Sequence, residues 1–400
     1  MEAADDLRLH LNARSTRDRS YGPAQRRVMS RETRAQARDA ISRWPGYAPT
    51  PLVDLAGLAA RLGIAGLRIK HERHRFDLGS FKALGGAYGV LRVLAGRTGG
   101  SMDDIIAGRA ADAVRDVTVC CATDGNHGRA VAWGATLAGA RSVIYLHEHV
   151  SRGREEAIAA RGARIVRVPG TYDDSVRMVA EDARRRGWIV VSDTSWPGYE
   201  EIPAWVMQGY SVMTDEMMGQ MGGRRPTHLF VQAGVGGLAA AAIAPLWEEL
   251  GTERPYCVVV EPHAADCVYR SAVRGALADA TGSLETVMAC LAAGKTSPLA
   301  WAILQHGADA FITIAERFAP EAMTMLARDP GTPLVAGESG AAGLAGLLAT
   351  LAASPARSAI GLDASSDVLL VASEGATDPE IYSRIVGSRP EDIGEAVVDR

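Results

Sequence analysis

The segment VTVCCATDGNHGRAVAWGATLAG, residues 117–139, shows the alternation that decides the fold. Its apolar start, VTVCCAT (117–123), predicts a buried strand, and RAVAWGATLAG predicts the helix that follows. Further strand candidates occur at residues 66–72, 142–148, 163–169, 187–193, 227–234, 256–262 and 367–375. Near-continuous Val/Ile runs that alternate with amphipathic helices are typical of parallel sheets covered on both faces. The sequence therefore predicts an α/β fold of mostly parallel sheets flanked by helices.

The strand candidates fall into two groups, which predicts a two-lobed protein. Residues 1–44 are polar and rich in arginine, and we interpret them as an N-terminal extension. The polar stretch MGQMGGRRPT (218–227) separates the two groups. We predict a large domain from residues 45–85 and 226–400 and a small domain from residues 86–225. In such a fold a ligand is expected past the carboxyl ends of the strands, where the lobes meet.

The composition argues against several classes of protein. The chain has 43 basic and 47 acidic residues, so charge gives no reason to expect nucleic acid or an anionic membrane as a partner. Its N-terminus has no apolar signal core, and no apolar run reaches the roughly 20 residues that span a bilayer. The five cysteines include no CxxC pair, which favours a cytoplasmic protein over a disulfide framework. His147 and His149 have no apparent third ligand, so we predict no metal site.

Lysine is rare in this chain, because arginine supplies almost all of the basic residues. The lysines are Lys70, Lys82 and Lys295. Such a bias ordinarily reflects base composition, but a retained lysine marks a place where arginine cannot serve. Arginine neither loses its proton nor forms an imine. These three residues are therefore candidates for amine chemistry.

Lys82 lies in the segment Gly79-Ser80-Phe81-Lys82-Ala83-Leu84-Gly85-Gly86. We predict a helix here with Ser80 as its N-cap, which places Lys82 in the first turn. The positive end of a helix disfavours an ammonium group, and a neutral amine is what attacks an aldehyde. The alternative is an ordinary surface lysine.

Two glycine-bracketed turns follow predicted strands. The first is Thr123-Asp124-Gly125-Asn126-His127-Gly128, and the second is Gln232-Ala233-Gly234-Val235-Gly236-Gly237-Leu238. Backbone N–H groups at the start of a helix suit a carboxylate or phosphate. In the first turn, Asn126 is placed to bind a ring hydroxyl and Asp124 to do acid–base work, although an ordinary turn with Asp124 as N-cap is an alternative. The second turn is not a Walker A loop, and similar turns are common in α/β proteins.

Two further side chains follow strands and are candidates for a site. Asp193 lies in VSDTSW, where it is either a second functional carboxylate or the N-cap of the next segment. Thr377 lies in SEGATD after the last strand, and a hydroxyl there suits a pyridine nitrogen.

Together these motifs resemble the fold-type II (tryptophan-synthase-like) pyridoxal phosphate enzymes, and more narrowly the diaminopropionate ammonia-lyase family. The resemblance runs from about Tyr47 to about Arg384. It is carried by RFDLGSFKALGGAY, ATDGNHGRAVAWGA, SDTSWPGYEEIPAWVMQGY, VQAGVGGLAAA, VEPHAADCVYRSA, TVMACLAAGKTSPLAWAIL and AGESGAAG. It implies a two-lobed fold-type II architecture whose large domain binds the cofactor, and it implies a homodimer.

The resemblance also implies roles for individual residues. Lys82 is expected to bind pyridoxal 5′-phosphate as a Schiff base, with Phe81 near the ring, Asn126 at the ring hydroxyl and Thr377 at the ring nitrogen. The phosphate is expected at Gly234, Val235, Gly236, Gly237 and Leu238. The substrate is expected at Thr123, Asp124, Gly125, His127 and Asp193.

The implied reaction is loss of ammonia from D- or L-2,3-diaminopropionate, or from both, giving pyruvate. Lys82 and Asp124 are the implied proton-transfer groups on opposite faces of the cofactor, with Asp193 near the substrate amino groups.

The chain departs from the family pattern in several places. It has His71-Glu72-Arg73 where the family has Asp-Glu-Ser, Asp77 where it has glycine, and a different residue at Pro197. The family cysteine that pairs with the one at Cys267 often falls at Ala293, whereas this chain has Cys290. A β-replacement synthase or a serine/threonine dehydratase-like enzyme is therefore an alternative, and a non-enzymatic binding protein is a third.

Overall fold

The computed structural model describes residues 6–15, 20–123 and 125–395. Asp124 lies outside the described residues. The chain forms two compact units. The first unit comprises Met1–Arg31, Pro49–His74 and Met213–Arg400, and the second comprises Glu32–Ala48 and Arg75–Val212.

The strands are numbered along the described part of the chain. They are β1 (Leu7–Leu11), β2 (Leu52–Asp54), β3 (Gly66–His71), β4 (Thr118–Ala122), β5 (Arg141–His147), β6 (Arg164–Val168), β7 (Ile189–Val190), β8 (His228–Gln232), β9 (Tyr256–Pro262), β10 (Ala310–Ile314) and β11 (Asp367–Ala372). Each strand candidate of the sequence overlaps one of these strands, and β5 begins one residue before its candidate. The structure adds β1, β2 and β10, which the sequence reading missed.

The α-helices lie between and around these strands. They are Pro23–Arg26, Arg31–Ile41, Ala56–Leu62, Lys82–Thr98, Met102–Ile106, Ala111–Val114, Asn126–Ala138, Arg152–Ala159, Tyr172–Arg186, Glu201–Gln220, Gly237–Leu250, Cys267–Arg274, Pro298–Gly307, Phe318–Ala327, Ala342–Ala352, Ser354–Ala359 and Pro379–Val386. Short 3₁₀ helices occur at Glu72–Asp77, Gly251–Glu253, Ala289–Leu291 and Pro390–Asp392. None of the described helices is both long and apolar enough to cross a bilayer.

Each unit is built on one sheet. Within the described residues, the first unit has a seven-stranded sheet of order β1-β10-β9-β8-β11-β3-β2, which is parallel except for its two edge strands. The second unit has a four-stranded parallel sheet of order β6-β5-β4-β7. The predicted α/β fold with mostly parallel sheets is therefore confirmed.

The apolar strand residues form the cores of these units. In the first unit the side chains of Phe230, Val260, Ile312 and Leu370 belong to one large buried cluster. In the second unit Cys120 joins a smaller buried cluster around β4 and β5. Burying one large aliphatic side chain contributes about 1.5–3 kcal/mol, so apolar runs of this kind are stable only inside covered sheets.

The units divide the chain at other points than the predicted domains. The second unit includes Glu32–Ala48, and its main segment runs from Arg75 to Val212 rather than from residue 86 to residue 225. The helix Glu201–Gln220 spans this end of the second unit and continues into the polar stretch that we used as a boundary.

The N-terminal residues predicted as an extension contribute to both units. Leu7–Leu11 pairs antiparallel with β10, and residues 32–41 belong to a helix of the second unit. The strand is visible in hindsight, because leucines alternate with Arg8 and His10 at the period of two that a strand requires.

Candidate active site

Lys82 is the first residue of the helix Lys82–Thr98 in the second unit. The prediction that Ser80 caps this helix is wrong, because Phe81 occupies the cap position with φ −60° and ψ −18° and no side chain caps the helix. The predicted place of Lys82 in the first helical turn is nevertheless what the structure shows.

Asp193 is the partner of Lys82. The Lys82 Nζ donates a hydrogen bond to Asp193 Oδ2. The two side chains are 18% and 16% exposed. Burial opposes ionisation of the carboxyl, but the charge of Lys82 and its hydrogen bond hold the pKa of Asp193 well below its usual range. A partly buried amine therefore faces an ionised carboxylate.

His127 lies beside this pair. Its Nε2 is 2.8 Å from the Val191 carbonyl oxygen, which accepts, so Nε2 bears the hydrogen. Burial lowers the pKa of His127, and the nearby Lys82 charge acts in the same direction, so the ring is neutral near pH 7. Its Nδ1 is 3.9 Å from Asp193 Oδ2 and has no hydrogen-bond partner among the described residues. The neutral ring thus presents an acceptor next to the carboxylate.

Tyr210 completes this group of side chains, and sequence reasoning missed it. Its ring centroid is 4.6 Å from that of Phe81, and the Lys82 Nζ is 5.3 and 5.4 Å from the Phe81 and Tyr210 centroids. Gly85 and Gly209 allow this packing, since a Cβ at either position would overlap the opposite helix. In the sequence, Gly85 and Gly209 were the residues that could have indicated this close approach of the two helices.

The turn after β4 has the predicted strand–turn–helix form. The helix Asn126–Ala138 begins after Gly125, whose φ of 156° favours glycine. Thr123 Oγ1 accepts hydrogen bonds from the N–H groups of Gly125 (3.0 Å) and Gly128 (3.2 Å). The Thr123 hydroxyl therefore stabilises the turn itself, and Gly125 rather than Asp124 occupies the N-cap position.

The second glycine turn lies in the first unit, between β8 and the helix Gly237–Leu250. Gly236 is its N-cap with φ 98°, a left-handed conformation that favours glycine, and no side chain caps the helix. Gln232 Nε2 donates to Ser373 Oγ at 2.8 Å, which links the base of this turn to the segment after β11. Uncapped N–H groups at the start of a 14-residue helix suit a phosphate dianion.

The segment after β11 brings Thr377 against a carboxylate. Thr377 Oγ1 donates to Glu374 Oε2 at 3.2 Å. Glu374 also accepts from the backbone N–H of Ser339 at 3.3 Å and from Cys290 Sγ at 3.5 Å. Glu374 is another residue that sequence reasoning did not single out, although it lies within the quoted SEGATD motif.

Two of the departures from the family pattern, His71 and Arg73, lie in one cluster of the first unit. Arg73 Nη1 forms an ion pair with Glu395 Oε2 at 2.7 Å, and His74 Nε2 is 3.3 Å from the same oxygen. His71 Nε2 is 3.0 Å from the Val335 carbonyl oxygen and 3.9 Å from Glu395 Oε1. Arg73 thus binds Glu395 in the C-terminal segment, whereas the hydrogen-bond partner of His71 is the Val335 carbonyl oxygen.

The cysteines are free thiols, including Cys267 and Cys290. Cys267 Sγ is 3.7 Å from the Gly234 carbonyl oxygen, so this thiol packs on the second glycine turn.

The residues present fit the cofactor that the resemblance implies. The second unit supplies an amine beside a carboxylate, together with the aromatic pair of Phe81 and Tyr210 next to that amine. The first unit supplies an uncapped helix start for the phosphate and a buried hydroxyl for a ring nitrogen.

Comparisons with known proteins agree with this chemistry. The family model described as "Pyridoxal-phosphate dependent enzyme" matches residues 43–374. The diaminopropionate ammonia-lyase of Salmonella typhimurium is 38% identical over 358 residues, which cover 86% of this chain and 89% of that protein. The Escherichia coli diaminopropionate ammonia-lyase was solved with an aminoacrylate-PLP azomethine intermediate and is 34% identical with a TM-score of 0.86. That alignment covers 95% of this chain and 96% of the other.

The same E. coli enzyme was also solved with D-serine, and this structure has 33% identity and a TM-score of 0.86 over 95% and 96% of the two chains. The chain therefore belongs to the pyridoxal-phosphate dependent enzymes and, within them, to the family of the diaminopropionate ammonia-lyases.

Proposed function

We propose that this protein uses pyridoxal phosphate to eliminate ammonia from 2,3-diaminopropionate, as the D isomer, the L isomer or both, and so forms pyruvate. The observation that carries the proposal is the contact between Lys82 and Asp193. The substrate differs from serine in having a second ammonium group, and Asp193 is an ionised carboxylate that already binds an ammonium in this structure. A hydroxyl in place of that ammonium would leave the carboxylate without a cation.

The residues divide the chemistry between them. When bound, pyridoxal phosphate supplies the ring that withdraws the electron pair left at the substrate Cα. The Lys82 amine removes the Cα proton from one face, and the Asp124 carboxylate removes it from the opposite face in the other enantiomer. Asp193 binds the second ammonium, so that the leaving nitrogen keeps its proton and departs as neutral ammonia.

The remaining assignments follow the chemistry of each group. The cofactor is bound by Lys82, Phe81, Asn126, Gly234, Val235, Gly236, Gly237, Leu238 and Thr377. The substrate is bound by Thr123, Asp124, Gly125, His127 and Asp193. The backbone N–H groups of the first turn receive its carboxylate, while the neutral ring of His127 lies on the side of Asp193 and accepts from an ammonium.

The decisive experiment measures pyruvate and ammonia from the cofactor-loaded enzyme with each diaminopropionate enantiomer. One pyruvate and two ammonia are expected for each diaminopropionate consumed, because the second nitrogen is released when the eliminated product hydrolyses. No pyruvate from either isomer would reject the proposal. Asp193→Asn should lower kcat/KM for diaminopropionate on the order of a hundredfold and that for serine by less, because only the former loses a charge partner.

The alternatives are a β-replacement synthase and a serine/threonine dehydratase-like enzyme. The departures that raised them are His71, Arg73 and Pro197. Arg73 is paired with Glu395 and His71 with the Val335 carbonyl oxygen, which supports elimination rather than a new substrate contact at these two positions. Mass spectrometry of products formed with and without an added thiol separates the outcomes. A thioether product would favour replacement, and turnover of serine or threonine above that of diaminopropionate would favour the dehydratase.

We also propose that the enzyme is a cytoplasmic homodimer. Its five free thiols suit a reducing compartment. The dimer follows from the family resemblance, and light scattering of the purified holoenzyme would measure its mass directly.

A further inference from the structure

We propose that His127, together with Asp193, makes the enzyme prefer an ammonium group over a hydroxyl group on the substrate Cβ. This inference rests on the proposed function in one respect, since it takes Asp193 as the carboxylate that receives the second ammonium of the substrate. His127 is then a specificity-determining residue, because its ring decides which leaving groups the site accepts.

The orientation of the His127 ring is fixed by a main-chain carbonyl. Its Nε2 is 2.8 Å from the Val191 carbonyl oxygen, which has no proton, so Nε2 is the donor in this hydrogen bond. Burial lowers the pKa of His127, and the ring near pH 7 therefore has a single N–H group. The second nitrogen, Nδ1, consequently bears a lone pair rather than a proton.

Asp193 supplies a second acceptor beside this lone pair. Its Oδ2 is 3.9 Å from His127 Nδ1 and accepts a hydrogen bond from Lys82 Nζ. Burial opposes ionisation, but the charge of Lys82 and its hydrogen bond hold the pKa of Asp193 well below its usual range. Two groups that only accept hydrogen bonds therefore lie side by side.

The separation of these two acceptors suits a single nitrogen donor. A nitrogen about 2.8 Å from each atom closes a triangle with an angle of about 90° at the nitrogen. The N–H bonds of an ammonium diverge by about 109°, so two of them reach both acceptors with only small bends. His127 Nδ1 is buried and has no hydrogen-bond partner within the part of the chain that the structure describes, so its lone pair is available to such a donor.

A hydroxyl group cannot satisfy both acceptors. It has one proton, which it donates either to Asp193 or to His127, and the other acceptor is left buried and unpaired. Leaving a buried polar group unpaired opposes binding, and sites of this kind reject an analogue that lacks the required donor. An ammonium on the substrate Cβ is therefore favoured over a hydroxyl at the same carbon.

The lone pair of His127 also favours loss of ammonia over loss of water. When the Cβ–N bond of an ammonium breaks, the electron pair goes to the nitrogen, which leaves as neutral ammonia and needs no further proton. When a Cβ–O bond breaks, the oxygen must receive a proton to leave as water. His127 Nδ1 has no proton to give, so the ring assists only the nitrogen leaving group.

The test compares two substitutions that each retain one end of the histidine. In His127→Gln the side-chain amide reaches the Val191 carbonyl in place of Nε2, and no atom remains at the Nδ1 position. In His127→Asn the amide ends at the Nδ1 position, where its oxygen accepts hydrogen bonds, and the bond to Val191 is lost. His149→Gln is the matched control, because the His149 side chain is 73% exposed.

The measured quantity is kcat/KM for 2,3-diaminopropionate divided by kcat/KM for serine, with the cofactor-loaded enzyme. His127→Gln should lower this ratio roughly tenfold through slower reaction of diaminopropionate, and His127→Asn should lower it about twofold or less. His149→Gln should leave the ratio unchanged. Equal losses with both substrates in His127→Gln, or a larger fall of the ratio in His127→Asn than in His127→Gln, would overturn the proposal.

A second measurement needs no turnover and holds if either variant fails to fold. The ¹⁵N NMR spectrum of wild-type enzyme labelled in its histidine rings distinguishes hydrogen on Nε2 from hydrogen on Nδ1. His127 should show a protonated Nε2 and an unprotonated Nδ1 near pH 7, and a protonated Nδ1 would overturn the proposal. Pyruvate from diaminopropionate with a protonated Nδ1 rejects only this inference, whereas the expected ring without such pyruvate supports the paired acceptors and rejects the proposed reaction.

Discussion

Gly85 lies against the ring of Tyr210 so closely that a methyl group at position 85 would overlap the ring edge and the Val206 carbonyl oxygen. This contact joins the helix that begins with Lys82 to the helix Glu201–Gln220 within the second unit. It places the tyrosine ring against Phe81. The absence of a side chain at Gly85 therefore allows the Tyr210 ring to pack beside Phe81 and near the Lys82 amine.

Gly85→Ala should lower the free energy of unfolding of the second unit by about 1–3 kcal/mol, because the new methyl group overpacks the helix contact. Gly96 lies on the same helix with nothing within 4 Å of its Cβ position. Gly96→Ala is thus a matched control that should gain up to about 1 kcal/mol from helix propensity. Urea unfolding of the two variants measures the difference, and equal stabilities would contradict the overlap.

Lys82→Ala should remove the absorbance band of the cofactor imine and lower pyruvate formation at least about a thousandfold, because no amine remains to bind the aldehyde. Lys295→Ala is the matched control, since the Lys295 side chain is 78% exposed and lies 3.8 Å from Asp279. The control should retain both the spectrum and the rate. An imine band that survived in Lys82→Ala would assign the aldehyde to another amine.

Tyr199 positions the segment that carries Asp193. Its hydroxyl donates to the Val190 carbonyl oxygen at 2.8 Å and accepts from the Ser192 N–H at 3.0 Å. Tyr199→Phe removes both bonds and should cost about 1–2 kcal/mol of stability and roughly a tenfold loss of kcat/KM for diaminopropionate. Trp196→Phe keeps an aromatic ring on Tyr199 and serves as the control. Unchanged kinetics in Tyr199→Phe would show that Asp193 keeps its position without the two hydrogen bonds of the Tyr199 hydroxyl.

Glu395 should stabilise the protein in a pH-dependent way. Burial opposes its ionisation, but hydrogen bonds from His74 and the Val335 N–H and the charge of Arg73 lower the pKa of Glu395 to about 2. A lowered carboxyl pKa stabilises the fold above the unfolded value of about 4.3, and that contribution disappears as the pH falls toward 2.

Glu395→Gln neutralises the glutamate of this cluster. Glu391→Gln neutralises an exposed glutamate and is the matched control. Glu395→Gln should be less stable than the wild type by about 1 kcal/mol at pH 6 after allowance for solvent screening, and the gap should close below pH 4. Thermal unfolding measured as a function of pH gives the stability difference at pH 6 and its decrease at lower pH. A gap that stayed constant from pH 6 to pH 3 would attribute it to packing rather than to charge.

Asp77→Gly should stabilise the protein by up to about 1 kcal/mol. Asp77 has φ 53°, a left-handed conformation that glycine adopts without cost, and the side chain is exposed. The family pattern has glycine at this position, which the observed backbone explains. Asp112→Gly, in the short helix Ala111–Val114, should instead cost about 1 kcal/mol. A loss of stability in Asp77→Gly would indicate that its carboxylate makes a compensating contact.

Several features could be predicted because neighbouring residues encode them. The strand runs, the glycine turns after β4 and β8, and the helix beginning at Lys82 depend on periodicity, turn chemistry and propensity within a short stretch of chain. The scarcity of lysine drew attention to Lys82 in the same local way. The edge strand β1 was not predicted, because its alternating pattern covers only five residues and lies in a polar stretch of sequence.

What the sequence by itself determined is therefore the α/β class, the family and the candidate for the catalytic amine. The tertiary structure alone decided which side chains meet. Lys82 and Asp193 are 111 residues apart, and β1 pairs with a strand about 300 residues later. Contacts of this kind depend on how helices and strands pack, because local propensity specifies an element but not its neighbour. For the same reason, Tyr210 and Glu374 were identified only from their tertiary contacts. Tyr210 packs on Gly85, and Glu374 accepts a hydrogen bond from Thr377.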